Sequence, residues 1–266
     1  MIKNKKYISL AVAGWPLKKT LSPDIFNFFF KKTKIKGIYK KIKIEKSKFS
    51  KKYLNSLCLD GLNITTPLKQ KAYFLSDIKD KTAKKTKAAN ILLKTKKGWK
   101  AYNSDLWAFK KTLKGNFKSA CVFGSGGAAA SVLYSLGELK IPRIYCVSLS
   151  GKKPPNISVL KREFKFSKFY FMKQKNTLPY ADIYINARVP KSSFPDFPSN
   201  SKKTLFYDIN YGKTNIFIKK AKILKAKIKT GEEMLFLQAL KSFKIFTGIK
   251  LKENEFKKDF FRRFRC

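Results

Sequence analysis

The sequence predicts an α/β protein of two domains, with parallel sheets covered by helices. Three observations predict it. The chain has 266 residues, and at roughly 150 residues per domain two is the better count. Short apolar runs alternate with helical stretches along the chain, the pattern of strands crossed by helices. One such run, ending at Phe123, enters a glycine turn that opens a helix.

The elements follow in order. Tyr7–Ala13 is short and apolar, a buried strand. Ser22-Pro23-Asp24 starts a helix, with Ser as N-cap, Pro at the first helical position and Asp in the first turn. That helix carries Ile25, Phe26, Phe28, Phe29 and Phe30. Ile38–Ile44 alternates like a strand, Lys46–Leu57 reads as a helix and Leu59–Ile64 as a strand. Pro67 opens the next helix. Ala88–Leu93 and Trp99–Tyr102 flank Lys96-Lys97-Gly98, a hairpin signal. Ser104 caps a helix through Leu113. Ala120–Phe123 is a strand, followed by glycines and the helix Ala128–Leu136. Strands at Arg143–Leu149, Phe166–Phe171, Ile183–Asn186 and Leu205–Ile209 precede helices at Ile216–Leu224, Glu232–Phe246 and Glu253–Phe264.

Composition excludes several classes. Apolar residues are 44% and aromatics 15% of the chain, too many for global disorder. No run reaches the roughly 18 apolar residues of a membrane span, so no membrane partner is expected. There is no His, which removes imidazole bases, His-ligated zinc and the Ser-His-Asp triad. Cys58, Cys121, Cys146 and Cys266 lack paired spacing, so neither a disulfide framework nor a metal site is expected. Lys3, Lys5 and Lys6 before Ile8–Ala13 mimic a signal peptide. The apolar run is shorter than the usual 7–15 residues, and the cytoplasm is the expected location.

The net charge is +45, from 61 basic and 16 acidic residues. Only six of the cations are Arg, the residue favoured for bidentate phosphate and base recognition. The other 55 are Lys, spread along the chain. This reads as a lysine-rich solvated surface rather than a site for specific nucleic acid. Nonspecific, salt-sensitive attraction to polyanions follows from it.

The glycine turn is the most specific local signal. Gly124, Gly126 and Ala129 fit the dinucleotide-binding pattern with Ala in the third slot. The first glycine permits the turn, the second admits the pyrophosphate, and the small third residue lets helix and strand pack. The helix N-terminus offers N–H donors to phosphate. The next strand ends Ser148-Leu149-Ser150-Gly151-Lys152-Lys153. An NAD-preferring site places an acid there. Two hydroxyls and two cations favour a 2′-phosphate instead, hence NADP, with NAD as the alternative.

Asn63-Ile64-Thr65-Thr66-Pro67-Leu68-Lys69 forms a second constellation, in which a strand delivers polar residues to its end and a helix begins with a lysine. A cation at a helix N-terminus among like charges releases its proton more readily, which is how a lysine serves as general acid or base. Asn103-Ser104-Asp105 likewise follows a strand and opens a helix, and Asp105 is one of only 16 acids. Complementing the helix dipole is its alternative role.

These pieces, in this order over nearly the whole chain, resemble the shikimate dehydrogenase family. Gly14-Trp15-Pro16 and Thr20-Leu21-Ser22-Pro23 resemble the segment whose two hydroxyls bind the substrate carboxylate, with Thr20 in place of Ser. Asn63–Lys69 resembles the motif ending in the catalytic lysine, and Asn103-Ser104-Asp105 the motif with the catalytic aspartate. Ala88-Ala89-Asn90, Gly124–Ala128, Tyr207-Asp208-Ile209-Asn210-Tyr211 and Gly231…Met234-Leu235…Gln238-Ala239 match further family motifs. There are two departures. The family's Asn-Arg-Thr, with its phosphate-gripping Arg, aligns with Ser148-Leu149-Ser150, and the usual Thr after the Asn-Ala pair is Arg188.

The resemblance implies a substrate domain of residues 1–104 plus 232–266, whose C-terminal helices return to it. It implies a Rossmann-type, doubly wound NADP domain of residues 105–231, and a cleft between the two for substrate and nicotinamide. The implied reaction is reversible NADPH-dependent reduction of 3-dehydroshikimate to shikimate, without a metal. Lys69 and Asp105 are the implied catalytic pair. Thr20, Ser22 and Tyr211 would orient the carboxylate; Thr65, Asn90 and Gln238 would bind hydroxyls. Gly124, Ser125, Gly126, Gly127, Ala128, Ser148, Ser150, Lys152, Lys153, Ile209 and Gly231 would hold the cofactor. A dehydrogenase of quinate or another cyclic polyol shares every motif. A basic nucleic-acid-binding protein on a dehydrogenase fold is the non-enzyme alternative. The expected assembly is a monomer or homodimer.

Overall fold

The computed structural model describes residues 6–17, 20–189, 192–198, 203–212 and 215–264. Lys3, Lys5, Arg265 and Cys266 lie outside them. The chain divides into two compact units, Met1–Ser104 with Phe236–Arg265, and Asp105–Leu235.

The first unit is built on a six-stranded sheet in the order β2-β1-β3-β5-β6-β4. Its strands are β1 (Ile8–Gly14), β2 (Gly37–Lys43), β3 (Gly61–Ile64), β4 (Ile78–Lys79), β5 (Ile91–Thr95) and β6 (Gly98–Tyr102). β1 pairs parallel with β2 and β3. The sheet is not wholly parallel, because β5 and β6 form the expected hairpin and β5 runs antiparallel to β3. The helices of the first part are α1 (Ser22–Thr33), α2 (Lys51–Ser56), α3 (Lys69–Leu75) and α4 (Lys81–Thr86).

Three helix starts differ from the sequence reading. The N-cap of α1 is Leu21, without a side-chain bond, and Ser22 is already helical. The helix expected over Lys46–Leu57 begins only at Lys51, because the Ser50 hydroxyl accepts from Tyr53 N and caps it there. Pro67 does not open α3. A turn closed by Leu68 N donating to Thr65 O precedes it, and Leu68 is the N-cap.

α1 buries Ile25, Phe26, Phe28, Phe29 and Phe30. Phe26 stacks on Tyr39 at 4.3 Å between centroids. The C-terminal helices α9 (Glu232–Thr247) and α10 (Glu253–Arg263) cover the same face. Phe243 meets Phe29 edge-on at 5.4 Å, and Phe256 meets Phe28 and Phe29. Each ring removed from water contributes about 1.5–3 kcal/mol.

The second unit carries β7 (Ser119–Phe123), β8 (Arg143–Ser148), β9 (Lys168–Lys173), β10 (Ile183–Asn186), β11 (Leu205–Asp208) and β12 (Lys227–Lys229). All are parallel, in the order β12-β11-β10-β7-β8-β9. This is the doubly wound order, in which the direction of strand addition reverses between β7 and β10. Its helices are α5 (Asp105–Thr112), α6 (Gly127–Glu138), α7 (Ile157–Glu163) and α8 (Ile216–Ile223), and α9 begins in this unit. Among the described residues no helix is long and apolar enough to cross a membrane.

The core of this sheet holds three weak acids away from water. Burial pushes the Cys146 thiol from its ordinary 9.0 up to about 12. Cys121 and Tyr207 are raised for the same first reason. A group whose folded pKa is raised stabilises the fold fully below its unfolded pKa, and that stability is lost as pH rises toward the folded value. Between pH 9 and about 12 the wild type should therefore lose roughly 1.4 kcal/mol per pH unit more than Cys146→Ser. Urea unfolding at several alkaline pH values checks this; parallel curves for the two proteins would refute it.

Candidate active site and cofactor-binding turn

In the first unit a hydrogen-bonded hub forms around Asn90. Its amide Nδ2 donates to Ser104 Oγ at 2.9 Å, and its Oδ1 accepts from Ser104 N at 2.8 Å. Its backbone carbonyl accepts from Ile64 N and from Asn63 Nδ2. Ala89 N donates to the Lys69 carbonyl at 2.9 Å. Ser104 Oγ donates to the Gln238 carbonyl at 3.4 Å. Positions 63, 69, 90, 104 and 238 thus meet in one neighbourhood, although they come from β3, α3, the loops around β5 and β6, and α9.

The reason lies in buried amides. Asn63 uses both ends of its side chain, accepting from Tyr39 OH at 2.8 Å and donating to Ser242 Oγ at 3.1 Å. Asn103 donates to Thr86 Oγ1 and Ala88 O. Unpaired, such groups would cost about 1–3 kcal/mol each, so they fix the chain on both sides of Lys69 and lead directly into Asp105. Lys69 is the first residue of α3, and Asp105 the first of α5 and of the second unit. Sequence reasoning missed the bracing by Asn103 and Ser242. Their partners lie too far away along the chain for local pattern to show.

Thr20 and Ser22 stand side by side where α1 begins. The Thr20 hydroxyl donates to Ser22 Oγ at 3.1 Å and accepts from Ser22 N at 3.3 Å. Thr65 follows β3, with its backbone N donating to Ala13 O at 2.9 Å. Gln238 and Tyr211 are half-buried.

In the second unit, β7 runs into Gly124, whose φ of +121° few side chains tolerate. Gly124 N donates to Val147 O at 2.8 Å. A Cβ here would sit 3.0 Å from the Ala187 carbonyl. Gly126 is the N-cap of α6 and has no side chain to satisfy the first N–H groups. A Cβ on Gly126 would meet nothing within 4 Å. The turn thus presents open backbone donors at the positive end of a 12-residue helix. Ser125, Gly127 and Ala128 complete it half-buried. Ala129 behind them is fully buried, as close helix–strand packing requires.

β8 ends in a mixed environment. Ser148 is only 4% exposed, and its Oγ has no hydrogen-bond partner. Leu149 is 51% exposed, and Ser150, Lys152 and Lys153 are exposed beyond it. An orphaned buried hydroxyl, an open glycine turn and two cations, with no acid at the strand end, fit a dinucleotide carrying an extra phosphate.

A network at the ends of β10 and β11 escaped the sequence reading. Asp208, 1% exposed, accepts from Asn186 Nδ2 at 3.1 Å, from Asn210 N at 2.9 Å, from Asn210 Nδ2 at 2.7 Å, and from Asn215 Nδ2. Asn210 Nδ2 also donates to Arg188 O, and Arg188 N donates to Asn186 Oδ1. The scarcity of acids was the available signal. This network holds Ile209, whose N donates to Asn186 O at 3.1 Å. Gly231 packs so closely there that a Cβ would lie 2.2 Å from the Ile209 carbonyl. Ile209 and Gly231 are therefore neighbours. No group of three or more metal-ligating side chains occurs among the described residues.

Comparison with known proteins finds relatives along nearly the whole chain. Residues 12–92 match the family model described as "Shikimate dehydrogenase substrate binding domain". A shikimate dehydrogenase (NADP(+)) from Bartonella tribocorum is 32% identical, over 94% of this chain and 91% of that protein. The crystal structure of shikimate dehydrogenase from Thermotoga maritima superposes with a TM-score of 0.76 at 25% identity, covering 96% of this chain and 99% of that one. The Thermus thermophilus enzyme, solved in complex with NADP(H) and shikimate, shares the fold with a TM-score of 0.76 at 22% identity, covering 96% and 99%. With sequence similarity running through both units and the motifs falling where strands end and helices begin, the chain belongs to the shikimate dehydrogenase family.

Proposed function

We propose that the protein catalyses the reversible, NADPH-dependent reduction of 3-dehydroshikimate to shikimate, a step toward aromatic amino acids and chorismate, in the cytoplasm. The observation that carries this reading is the Asn90 hub, which supports Lys69 and the approach to Asp105 through the same buried amides. The substrate is assigned to the unit containing residues 1–104, and the dinucleotide to the doubly wound unit.

When bound, the nicotinamide supplies the hydride for the ketone carbon. Lys69 delivers a proton to the oxygen that becomes the hydroxyl and takes it back in the reverse direction. Asp105 binds a neighbouring substrate hydroxyl and fixes the lysine. Thr20 and Ser22, already paired, present hydroxyls to the carboxylate, and Tyr211 supports that end. Thr65, Asn90 and Gln238 serve the ring hydroxyls, with Asn90 also bracing Ser104. The backbone from Gly124 to Ala128 takes the pyrophosphate, and Ser148, Ser150, Lys152 and Lys153 take the adenosine end. Ile209 and Gly231 line the nicotinamide side.

Shikimate oxidation followed at the nicotinamide absorbance, with NADP and NAD in parallel, tests the reading. Turnover of neither cofactor, or turnover with quinate alone, would replace it. NADP should be preferred, by a margin narrowed by the loss of Arg at position 149. Lys is a point charge without the guanidinium fork, and Lys152 and Lys153 are exposed. Changing both to Ala should weaken NADP about 2–10-fold at low salt, fading as salt rises, and leave NAD nearly unchanged. Equal effects on the two cofactors would remove these lysines from the phosphate site.

A further inference from the structure

We propose that Arg188 is a specificity-determining residue of the cofactor site, its guanidinium supplying the fixed positive charge for the adenosine 2′-phosphate that Leu149 does not supply. This rests on the NADP reading above and adds to it a residue from a different strand.

Arg188 follows β10 yet reaches across the ends of three neighbouring strands. Its Nη2 donates to Val147 O at 2.9 Å, the same carbonyl that accepts from Gly124 N. Its Nη1 donates to Gln174 Oε1 at 2.6 Å and to Ser193 O at 3.2 Å. The guanidinium carbon lies 5.2 Å from the centre of the Phe123 ring and 5.5 Å from that of Phe194. Gln174 N in turn donates to Ser148 O at 2.9 Å. The guanidinium therefore lies at the end of β8, between the glycine turn and the residue whose buried hydroxyl has no partner. In doubly wound folds this strand end is where the adenosine ribose is read, and an arginine nearby accommodates a 2′-phosphate.

The charge is otherwise hard to account for. Arg188 is 9% exposed, and all three of its side-chain hydrogen bonds go to neutral acceptors. No carboxylate is bonded to its side chain among the described residues. Burial lowers its pKa, so the environment disfavours the charged form. A buried cation costs several kcal/mol unless an anion compensates it. A phosphate arriving at the end of β8 is that anion. Three of the five guanidinium N–H groups are used by these bonds, leaving donors for it.

The test measures dissociation constants of NADP, NAD and adenosine 2′,5′-bisphosphate for wild type, Arg188→Gln and Arg188→Lys by calorimetry at two salt concentrations. Arg188→Gln should weaken NADP and the bisphosphate about 10–100-fold. NAD should change less than about threefold, and the loss should persist at high salt because the group is buried. Arg188→Lys, which keeps the charge without the fork, should lie between and decides the matter if the glutamine variant does not fold. Equal weakening of NADP and NAD would mean that Arg188 only props the glycine turn, and would overturn the assignment while leaving the NADP reading intact. A wild type that prefers NAD would overturn that reading and the assignment with it.

Discussion

Lys69→Ala should lower turnover by about 10²–10⁴-fold, the usual consequence of losing a general acid. The Michaelis constant for shikimate should move far less, because Thr20 and Ser22 are held by each other and still present their hydroxyls to the carboxylate. The substitution is also mild for the fold. The backbone carbonyl of residue 69 keeps its bond from Ala89 N, and alanine favours a helix. A folded variant with near-normal turnover would remove the proposed proton transfer. One whose loss lay wholly in the Michaelis constant would make Lys69 a binding residue instead.

Asp208→Ala should strongly destabilise the second unit. Its carboxylate accepts from three asparagine side chains and one backbone N–H. Hydrogen bonds to charged groups are worth about 1.5–3 kcal/mol, and the stranded donors add their own desolvation cost. These terms do not add simply, and a net loss of about 3 kcal/mol is expected, or a fall in Tm of roughly 6–12 °C. Asp208→Asn keeps one acceptor and should recover part of it. Cofactor binding should weaken as well, since Ile209 and Arg188 are positioned through the same bonds. Calorimetric melting with and without NADP decides this; an unchanged Tm would show that water replaces the carboxylate freely.

What the sequence showed, and what it hid, divides by distance along the chain. The Phe123–Ala129 turn was legible because strand, glycines and helix are contiguous. The β5–β6 hairpin was legible for the same reason, through Lys96-Lys97-Gly98. Lys69 and Asp105 could be singled out because each stands where an apolar run gives way to a helix. β4, α4, α7 and β12 were not seen, because two to seven residues are too few for a period to register. Ser22 was misplaced by one position, since Ser-Pro-Asp fits both a cap and a first turn. Arg188 was visible only as a departure from a family motif. Its reach to Gln174 and Val147 depends on β10 lying beside β7, which is a property of the sheet order. The Asp208 network likewise joins residues whose proximity only the fold creates.

The discontinuity of the first unit has a consequence for the order of events on the ribosome. Its opening helix, α1, carries a row of phenylalanines that Phe243 and Phe246 of α9 and Phe256 of α10 help to cover. More than two hundred residues must be synthesised before those rings exist. The second unit is drawn from one continuous stretch and has its strands complete earlier. Vectorial synthesis therefore inverts the written order: the first unit can finish its core only after the second has all its strands, and its aromatic face stays uncovered in the interval.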